Sequence, residues 1–296
     1  MRLQLSRTTL DLHAGAPVVM GILNIGRDSV ADSRTFESVE QQVQRGLDLA
    51  AAGAGIVDVG VLSGRTDTET ITVEQEIELL CPVVQALADQ DVAVSIDTWR
   101  AETIAAAVEA GAALINDTSG LRDPTVADIA AGTGAGLVLM HTRAKPKQLY
   151  FPSYEDPVLD VLEFLRERVE LATDRGVALE QILLDPGLDY AKAPHESVEV
   201  LRHLGELAVL QRPILLAVSR KYFIGMLADA LPEDRLAGTI AALEFGVSAG
   251  AQIVRVHDVA EVSQYLRLRA ALHGHGEIDM LGRRDDERLK WIAPKD

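Results

Sequence analysis

A basic cluster at 255–258, Arg-Val-His-Asp, carries the most readable chemistry in this 296-residue chain. It follows a short apolar run, so we expect it where a buried strand ends. Side chains two positions apart on a strand point the same way, and Arg255 and His257 could therefore hold one anion together. An arginine fork suits phosphate oxygens and a histidine adds a single donor. The alternative is a salt bridge from Arg255 to Asp258 or Asp185, and the sequence leaves it open.

Three further polar residues each end an apolar run: Asp97 in SIDT, Asn116 in IND and Asp185 in LDPG. A buried polar side chain without a partner costs about 1 to 3 kcal/mol, so these three must bind one another or a ligand. A planar heterocycle with an amino-oxo edge would satisfy them, because carboxylates accept N–H bonds and an amide both donates and accepts. A metal site is the competing interpretation. No His/Asp/Glu set has the spacing of a complete metal cage.

These residues belong to a wider pattern, in which eight short apolar runs each stop on a polar residue. The eight residues are Asn24, Asp58, Asp97, Asn116, His141, Asp185, Ser219 and His257. In a parallel barrel of eight strands and eight helices, all strand carboxyl ends lie on one face, where active sites are built. The pattern therefore predicts seven or eight polar groups around a single mouth.

The spacing of the runs favours the same architecture. Strands are predicted to begin near Val18, Gly55, Val92, Ala113, Gly136, Gln181, Pro213 and Gln252. The intervals of roughly 20 to 45 residues leave room for one helix between strands. A repeated phrase, as in AAGAGIVDV and EAGAALIND, places glycine just past each helix. We predict an α/β fold, a (β/α)8 TIM barrel with an N-terminal β-hairpin. An open doubly wound sheet is the alternative, and the absence of a glycine-rich phosphate fingerprint weakens it.

Composition excludes several classes of function. A net charge of −17 argues against binding nucleic acid or an anionic membrane. No run approaches the roughly 20 apolar residues of a membrane span, and the N-terminal residues MRLQLSRTTLDLHAG lack the apolar core expected of a secretion signal. One cysteine, Cys81, excludes an internal disulfide and fits a reducing compartment. We therefore expect a cytoplasmic protein with a small-molecule partner.

The motifs together resemble the dihydropteroate synthases. MGILN with DS, DVG with S and R, SIDT, IND, LMH, LDPG, SRK and RVHD occur in the order of that family. The match runs from about Pro17 to Leu266. The combination is specific, although each short motif is not.

The resemblance implies a barrel enzyme that joins 6-hydroxymethyl-7,8-dihydropterin diphosphate to p-aminobenzoate and releases diphosphate. Its pterin site would comprise Asp97, Asn116, Asp185 and Lys221. Its diphosphate site would comprise Asn24, Arg255 and His257. Mg²⁺ would lie alongside, with Asn24 as its ligand. Within these sets, the catalytic residues would be Asp97, Lys221, Arg255 and His257.

The second-substrate region departs from the family pattern. By resemblance it would include Asp28, Ser29, Ser63, Arg65, Tyr190 and Tyr222. The family's NVTPDSFSDGG is NIGRDSVADSR here, DVGGESTRPG is DVGVLSGRTD, and DPGxGF is DPGLDY. Two prolines are lost, which frees the backbone. Asp189 replaces glycine, and Asp189 or Asp67 would repel a benzoate carboxylate.

The altered loops lead us to expect a pterin diphosphate-binding protein whose condensation with p-aminobenzoate is weak or lost. A fully active folate-pathway transferase and a non-catalytic pterin-binding protein are the alternatives. Lys192, which follows the DPG motif, is interpreted as an exposed loop lysine. By analogy with the family we expect a homodimer. One domain is predicted over 1–280, with the hairpin at 1–16, the barrel at 17–275 and a charged tail at 281–296.

Overall fold

A computed structural model describes residues 1–13, 15–26, 36, 38–61 and 71–274 of the chain. Strands β1 (Arg2–Gln4) and β2 (Thr9–Asp11) form an antiparallel hairpin. Leu3, Leu5 and Leu12 are buried in it, with relative exposures of 0%, 3% and 3%. They pack against residues at the beginnings of the barrel strands, such as Ile56 and Leu114. The hairpin therefore closes the amino-terminal end of the barrel and leaves the opposite end for a site.

Eight parallel strands form the barrel. They are β3 (Val18–Asn24), β4 (Ile56–Gly60), β5 (Val94–Asp97), β6 (Leu114–Asp117), β7 (Gly136–Met140), β8 (Ile182–Asp185), β9 (Leu215–Leu216) and β10 (Ile253–Val256). Their order is β8-β7-β6-β5-β4-β3-β10-β9. A parallel bridge between Leu184 and Ile214 joins β8 to the start of β9 and closes the ring. The predicted barrel and hairpin are confirmed, and each strand begins within two residues of its expected start.

Nine α-helices are seen in the described part of the chain. They are α1 (Val39–Ala51), α2 (Val73–Ala88), α3 (Ala101–Glu109), α4 (Thr125–Thr133), α5 (Pro157–Asp174), α6 (Pro194–Arg202), α7 (Tyr222–Ala228), α8 (Leu236–Ser248) and α9 (Val259–Leu272). Local sequence sets their ends. Thr72 and Gln75 form a capping box before α2, and Asp156 caps α5 just ahead of Pro157.

The repeated glycine phrase has the predicted structural role. After α3, Gly111 has φ +118, and a Cβ there would lie 2.8 Å from the Cβ of Ala88. Only glycine meets both demands at this helix-to-strand turn. The domain boundaries at 16, 275 and 280 stay predictions, and the tail at 281–296 lies outside the described residues. In the described part of the chain, no helix has the length and apolarity to cross a membrane.

Candidate functional site

Strand register brings four residues to one level of the barrel rim. Asn24 pairs with Gly60, Gly60 with Asp97, and Asp97 with Asn116 across β3 to β6. Because the strands are parallel, these residues lie side by side at the carboxyl end of the barrel. A Cβ on Gly60 would lie 3.3 Å from the Cβ of Asp97 and 3.7 Å from the Oδ1 of Asn24. Glycine at 60 therefore leaves space between the two predicted site residues.

Arg255 connects this rim across the mouth. Its Nε donates to the Oδ2 of Asp58 at 2.6 Å, and one terminal nitrogen donates to the Oδ2 of Asp97 at 2.7 Å. Asn116 donates its Nδ2 hydrogen to the same Oδ2 of Asp58 at 3.1 Å. Asp58 lies inside β4 and is fully buried. One guanidinium thus holds carboxylates from β4 and β5 in a fixed arrangement.

Arg255 does form salt bridges, but the predicted partners Asp258 and Asp185 are wrong. Asp258 pairs instead with Arg220, at 2.5 Å between a guanidinium nitrogen and Oδ1. Asp185 uses its Oδ1 to accept from the backbone N–H of Gly187 at 2.7 Å. Asp58 was expected at a strand end, and no role was predicted for it. Its burial inside a strand, facing a predicted arginine, is the signal that could have identified it.

Burial sets the electrostatics of the carboxylates. Desolvation raises the pKa of Asp97 to about 7, although the charge of Arg255 opposes the shift. Desolvation also raises the pKa of Asp185, against a backbone hydrogen bond and the charge of Lys221. The Oδ1 of Asp58 is buried and has no hydrogen-bond partner within the described ranges. The mouth therefore contains acceptor groups that a ligand with N–H donors would satisfy.

Lys221 and Tyr190 lie together beside this cluster. The Nζ of Lys221 is 4.4 Å from the centroid of the Tyr190 ring, a cation–π distance. Burial lowers the pKa of Lys221, while Asp189 and Asp185 oppose the shift. The Asp189 carboxylate accepts from the backbone N–H of Tyr222 at 2.5 Å. The altered DPGLDY segment therefore reaches the first residue of α7.

His257 is buried, and its pKa favours the neutral ring. Burial and the charge of Arg255 lower the pKa of His257 to about 3. The Oγ of Ser219 accepts from the backbone N–H of His257 at 3.1 Å and lies 2.9 Å from its Nδ1. In the tautomer whose Nδ1 accepts the hydroxyl hydrogen, the neutral ring carries its hydrogen on Nε2. His257 is thus available as a single uncharged donor, and Ser219 is a site residue that received no role from the sequence.

Two sequence-based expectations fail at the next strands. His141 does not join the mouth: its Nε2 lies 2.8 Å from Asp160 and its ring packs against Phe164, both on α5. Lys192, expected as an exposed loop lysine, is 2% exposed. Its ammonium finds three acceptors inside the protein, which no local sequence pattern reports.

Four predicted residues, Asp28, Ser29, Ser63 and Arg65, lie outside the described residues. The described segments hold no group of three or more His, Cys, Asp or Glu that could enclose a metal ion. Mg²⁺ needs no such cage, because it binds phosphate oxygens and water beside one or two protein oxygens. The amide oxygen of Asn24 is a hard donor of the kind that Mg²⁺ prefers, so the chemistry of this residue fits the ion.

The site combines hydrogen-bonding groups for the edge of a planar ring with donors for an anion. Asp97, Asn116 and Asp185 present acceptors and one donor, and Tyr190 adds an aromatic face beside Lys221. Arg255 and His257 supply donors at the neighbouring end of the rim. Such a site suits a flat heterocycle bearing an anionic group.

Comparison with known proteins gives consistent matches. The profile of a family described as pterin binding enzyme matches residues 20–257. Dihydropteroate synthase of Synechocystis sp. is 39% identical over 258 residues, which cover 86% of this chain and 89% of that protein. The Xanthomonas albilineans dihydropteroate synthase structure with 4-aminobenzoic acid has a TM-score of 0.83 and 36% identity, over 93% of this chain and all of that chain. The Thermus thermophilus enzyme in complex with 6HMPPP has a TM-score of 0.79 and 34% identity, over 92% of this chain and 100% of that chain.

Proposed function

This chain belongs to the dihydropteroate synthase family of pterin-binding enzymes. We propose that it binds 6-hydroxymethyl-7,8-dihydropterin diphosphate and condenses it slowly with p-aminobenzoate. The fixed cluster of Arg255 with Asp58 and Asp97, beside Asn116, supports the pterin end of this proposal. The reaction would form a bond from the aryl amine nitrogen to the pterin methylene carbon. The bond from that carbon to the diphosphate oxygen would break, and the amine would lose one proton to solvent.

At the pterin end, each residue has a role that follows from its atoms. The Oδ2 of Asp97 is held by Arg255, so its other oxygen can accept an N–H from the ring. Asp185 is oriented in the same way by the N–H of Gly187. Lys221, held over Tyr190, can donate to a ring carbonyl or nitrogen. Carboxylates beside the methylene also favour the positive charge that develops there as the diphosphate leaves.

At the diphosphate end, Arg255 and the Nε2 hydrogen of His257 would bind phosphate oxygens. Asn24 would hold Mg²⁺, which supplies positive charge to the leaving diphosphate. No general base is needed from the protein, because an aryl amine attacks as the neutral species. The chain's own task is therefore to align the methylene and to stabilise the departing anion.

The position of Asp189 is the observation that supports a slow condensation with p-aminobenzoate. The family has glycine here, whereas the Asp189 carboxylate accepts from the N–H groups of Tyr222 and Phe223, at 2.5 and 3.3 Å. We assign Tyr190 and Tyr222 to the second substrate, so a benzoate carboxylate arriving there meets a negative charge that already occupies the local donors. Two like charges about 5 Å apart near a protein surface repel by on the order of 1 to 3 kcal/mol.

Binding and turnover test this function separately. Titration calorimetry should show that the wild type binds the pterin diphosphate in the presence of Mg²⁺. Lys221→Ala and Asp185→Ala should each weaken that binding at least tenfold. His195→Ala and His203→Ala, at exposed positions on and just after α6, are matched controls and should bind as the wild type does. Loss of binding in the His195 variant but not in the Lys221 variant would mean that the site is assigned wrongly.

Turnover distinguishes the proposal from its main alternative. Identity of 36–39% to dihydropteroate synthases over most of their length favours full activity. A rate of about 1 to 10 per second or more with both substrates would establish that alternative and reject slow condensation. Binding without any product after long incubation would instead favour a non-catalytic pterin-binding protein.

The affinity for pterin should fall at acidic pH because Asp97 must be ionised to accept a hydrogen bond. Its pKa is raised to about 7, so the carboxylate is lost as the pH falls through that value. We expect the dissociation constant measured by calorimetry to rise by up to tenfold per unit below pH 7. The Asp97→Asn variant should bind pterin more weakly at neutral pH, and its dissociation constant should not rise in this way below pH 7. A titration of the ligand itself would affect both proteins, so the comparison assigns the pH dependence to Asp97. An identical pH profile in both proteins would contradict the role of Asp97.

We further propose a homodimer. Large apolar side chains remain exposed on three helices, with Leu227 on α7, Phe245 on α8 and Leu268 on α9 exposed by 70%, 49% and 62%. Large apolar side chains that lie together at a surface often mark an interface. Light scattering at micromolar concentration measures the assembly, and a monomer would contradict this part of the proposal.

A further inference from the structure

Lys192 is the least expected charged group in the described part of the chain. It is 2% exposed, and its Nζ lies 2.6 Å from the Nδ1 of His141, 2.9 Å from the carbonyl oxygen of Gly187 and 3.3 Å from that of Tyr190. An ammonium has three hydrogens, and three acceptors surround it. A buried lysine with fewer partners would carry a large desolvation cost. This complete set of partners shows that the environment is built for the lysine.

The hydrogen bonds continue from Lys192 to the outside of the barrel. His141 accepts at Nδ1, so its Nε2 carries the hydrogen and donates to the Oδ2 of Asp160, 2.8 Å away. Arg143 donates to both oxygens of Asp160, at 2.7 and 3.1 Å. This row of four side chains, Lys192, His141, Asp160 and Arg143, is called the Lys192 relay below. It links the loop after β8 to α5.

Charges on the neighbouring elements are consistent with this arrangement. Burial and the charge of Lys192 lower the pKa of His141 to about 4, so the imidazole is neutral and can accept. Burial lowers the pKa of Lys192 to about 7, opposed by Asp185 on β8, Asp160 on α5 and Glu196 on α6, while Lys221 adds to the shift. Hydrogen bonds from His141 and Arg143 hold the pKa of Asp160 below its usual range, against the effect of burial. The ammonium is the form that satisfies all three acceptors.

The loop that Lys192 holds is strained. Gly187, Asp189 and Ala191 all have left-handed backbone, with φ of +64, +65 and +51. Such a conformation is unfavourable for a non-glycine residue, so surrounding contacts must maintain it. Lys192 binds the carbonyls of Gly187 and Tyr190, and the Tyr154 hydroxyl donates to the carbonyl of Ala191 at 2.8 Å. These contacts hold the loop from inside and outside.

We propose that Lys192, supported by its relay, is a positioning residue that fixes loop 186–191 so that Tyr190 lies against Lys221 and Asp189 against the N–H of Tyr222. Lys192 does not touch the mouth itself. It acts by binding the carbonyls of Gly187 and Tyr190, which lie on either side of Asp189 in the sequence. Its contact with His141 keeps this loop close to the end of β7. This inference rests on the proposed function insofar as the fixed loop serves pterin binding, whereas the loop geometry can be tested without any ligand.

Lys192→Met is the principal test because methionine matches the length of the lysine stem without its charge. Nitrogen-15 NMR should show the His141 imidazole titrating at higher pH in this variant, since a neighbouring cation has been removed. The backbone amides of Tyr222 and Phe223 should shift as Asp189 moves. Lys145→Met, the same change at an exposed position in the loop after β7, is the control and should alter none of these signals.

Ligand binding gives the functional readout. We expect Lys192→Met to weaken binding of the pterin diphosphate at least tenfold, with the fold retained by circular dichroism. Asp160→Asn keeps Lys192 but weakens the far end of the relay, so it should give a smaller loss and remains informative if the methionine variant fails to fold.

The outcomes separate this inference from the proposed function. A shifted His141 titration with pterin affinity within twofold of the wild type would overturn positioning by Lys192. Unmoved amides of Tyr222 and Phe223 would also overturn it. If the wild type binds no pterin diphosphate while the amides shift as expected, the proposed function fails and the positioning of the loop stands.

Discussion

Asp189→Gly is expected to raise kcat/KM for p-aminobenzoate by about 10- to 100-fold. The substitution removes a negative charge from the N–H groups of Tyr222 and Phe223. Relief of about 1.4 to 2.7 kcal/mol of repulsion in the transition state corresponds to this range. Glycine also accepts the backbone at this position, where φ is +65. Steady-state kinetics with saturating pterin diphosphate and Mg²⁺ measure the change.

Two further variants separate charge from backbone effects. Asp189→Asn removes the charge and keeps the shape, and asparagine tolerates left-handed backbone, so it should give a large part of the gain. Asp229→Gly makes the same substitution at the other end of α7, at an exposed residue with φ +50, and should leave kcat/KM unchanged. If neither Asp189 variant is faster than the wild type, Asp189 does not limit the second substrate.

Arg255→Met is expected to abolish binding of the pterin diphosphate and to destabilise the protein. Arg255 neutralises both Asp58 and Asp97, through contacts of 2.6 and 2.7 Å. Removing one partner of a buried ion pair typically costs about 3 to 5 kcal/mol, because the remaining charge is uncompensated. Here the charge of Asp58 remains, fully buried. Urea denaturation measures the free energy of unfolding, and calorimetry measures the affinity.

A surface pair supplies the control for Arg255. Arg175 pairs with Asp128 at 2.9 Å, with side chains 43% and 49% exposed, so Arg175→Met should cost about 1 kcal/mol or less. Adding Asp58→Asn to Arg255→Met should recover part of the stability, since the stranded charge is removed, without recovering affinity for the diphosphate. Equal losses in the Arg255 and Arg175 variants would show that the cluster at the mouth contributes little.

The architecture was predictable because its signals are local and repeated. Apolar runs of strand length, with glycine after the preceding helix, recur along the chain, and Gly111 illustrates why that glycine is required. Residues at strand ends such as Asp97 and Asn116 could also be placed, because parallel strands bring their ends to one rim.

The partners of those residues were less predictable, because they depend on distances across the fold. Arg255 pairs with Asp58, 197 positions away along the sequence, rather than with nearby Asp258. The burial of Lys192 depends on acceptors from two chain segments, one of them a histidine 51 positions earlier. The contacts of Asp189 with α7 follow from a left-handed backbone that a DPGLDY string does not reveal.

The hairpin at the base of the barrel has a practical consequence. The amino group of Met1 bonds to the carbonyl of Leu12 at 2.8 Å, and Met1 itself is 56% exposed. Met1 therefore lies beside the hairpin, on the face opposite the rim. A sensor chip, bead or fluorescent label attached ahead of Met1 would leave the rim turned toward solution, so immobilised protein remains suitable for measuring ligand exchange.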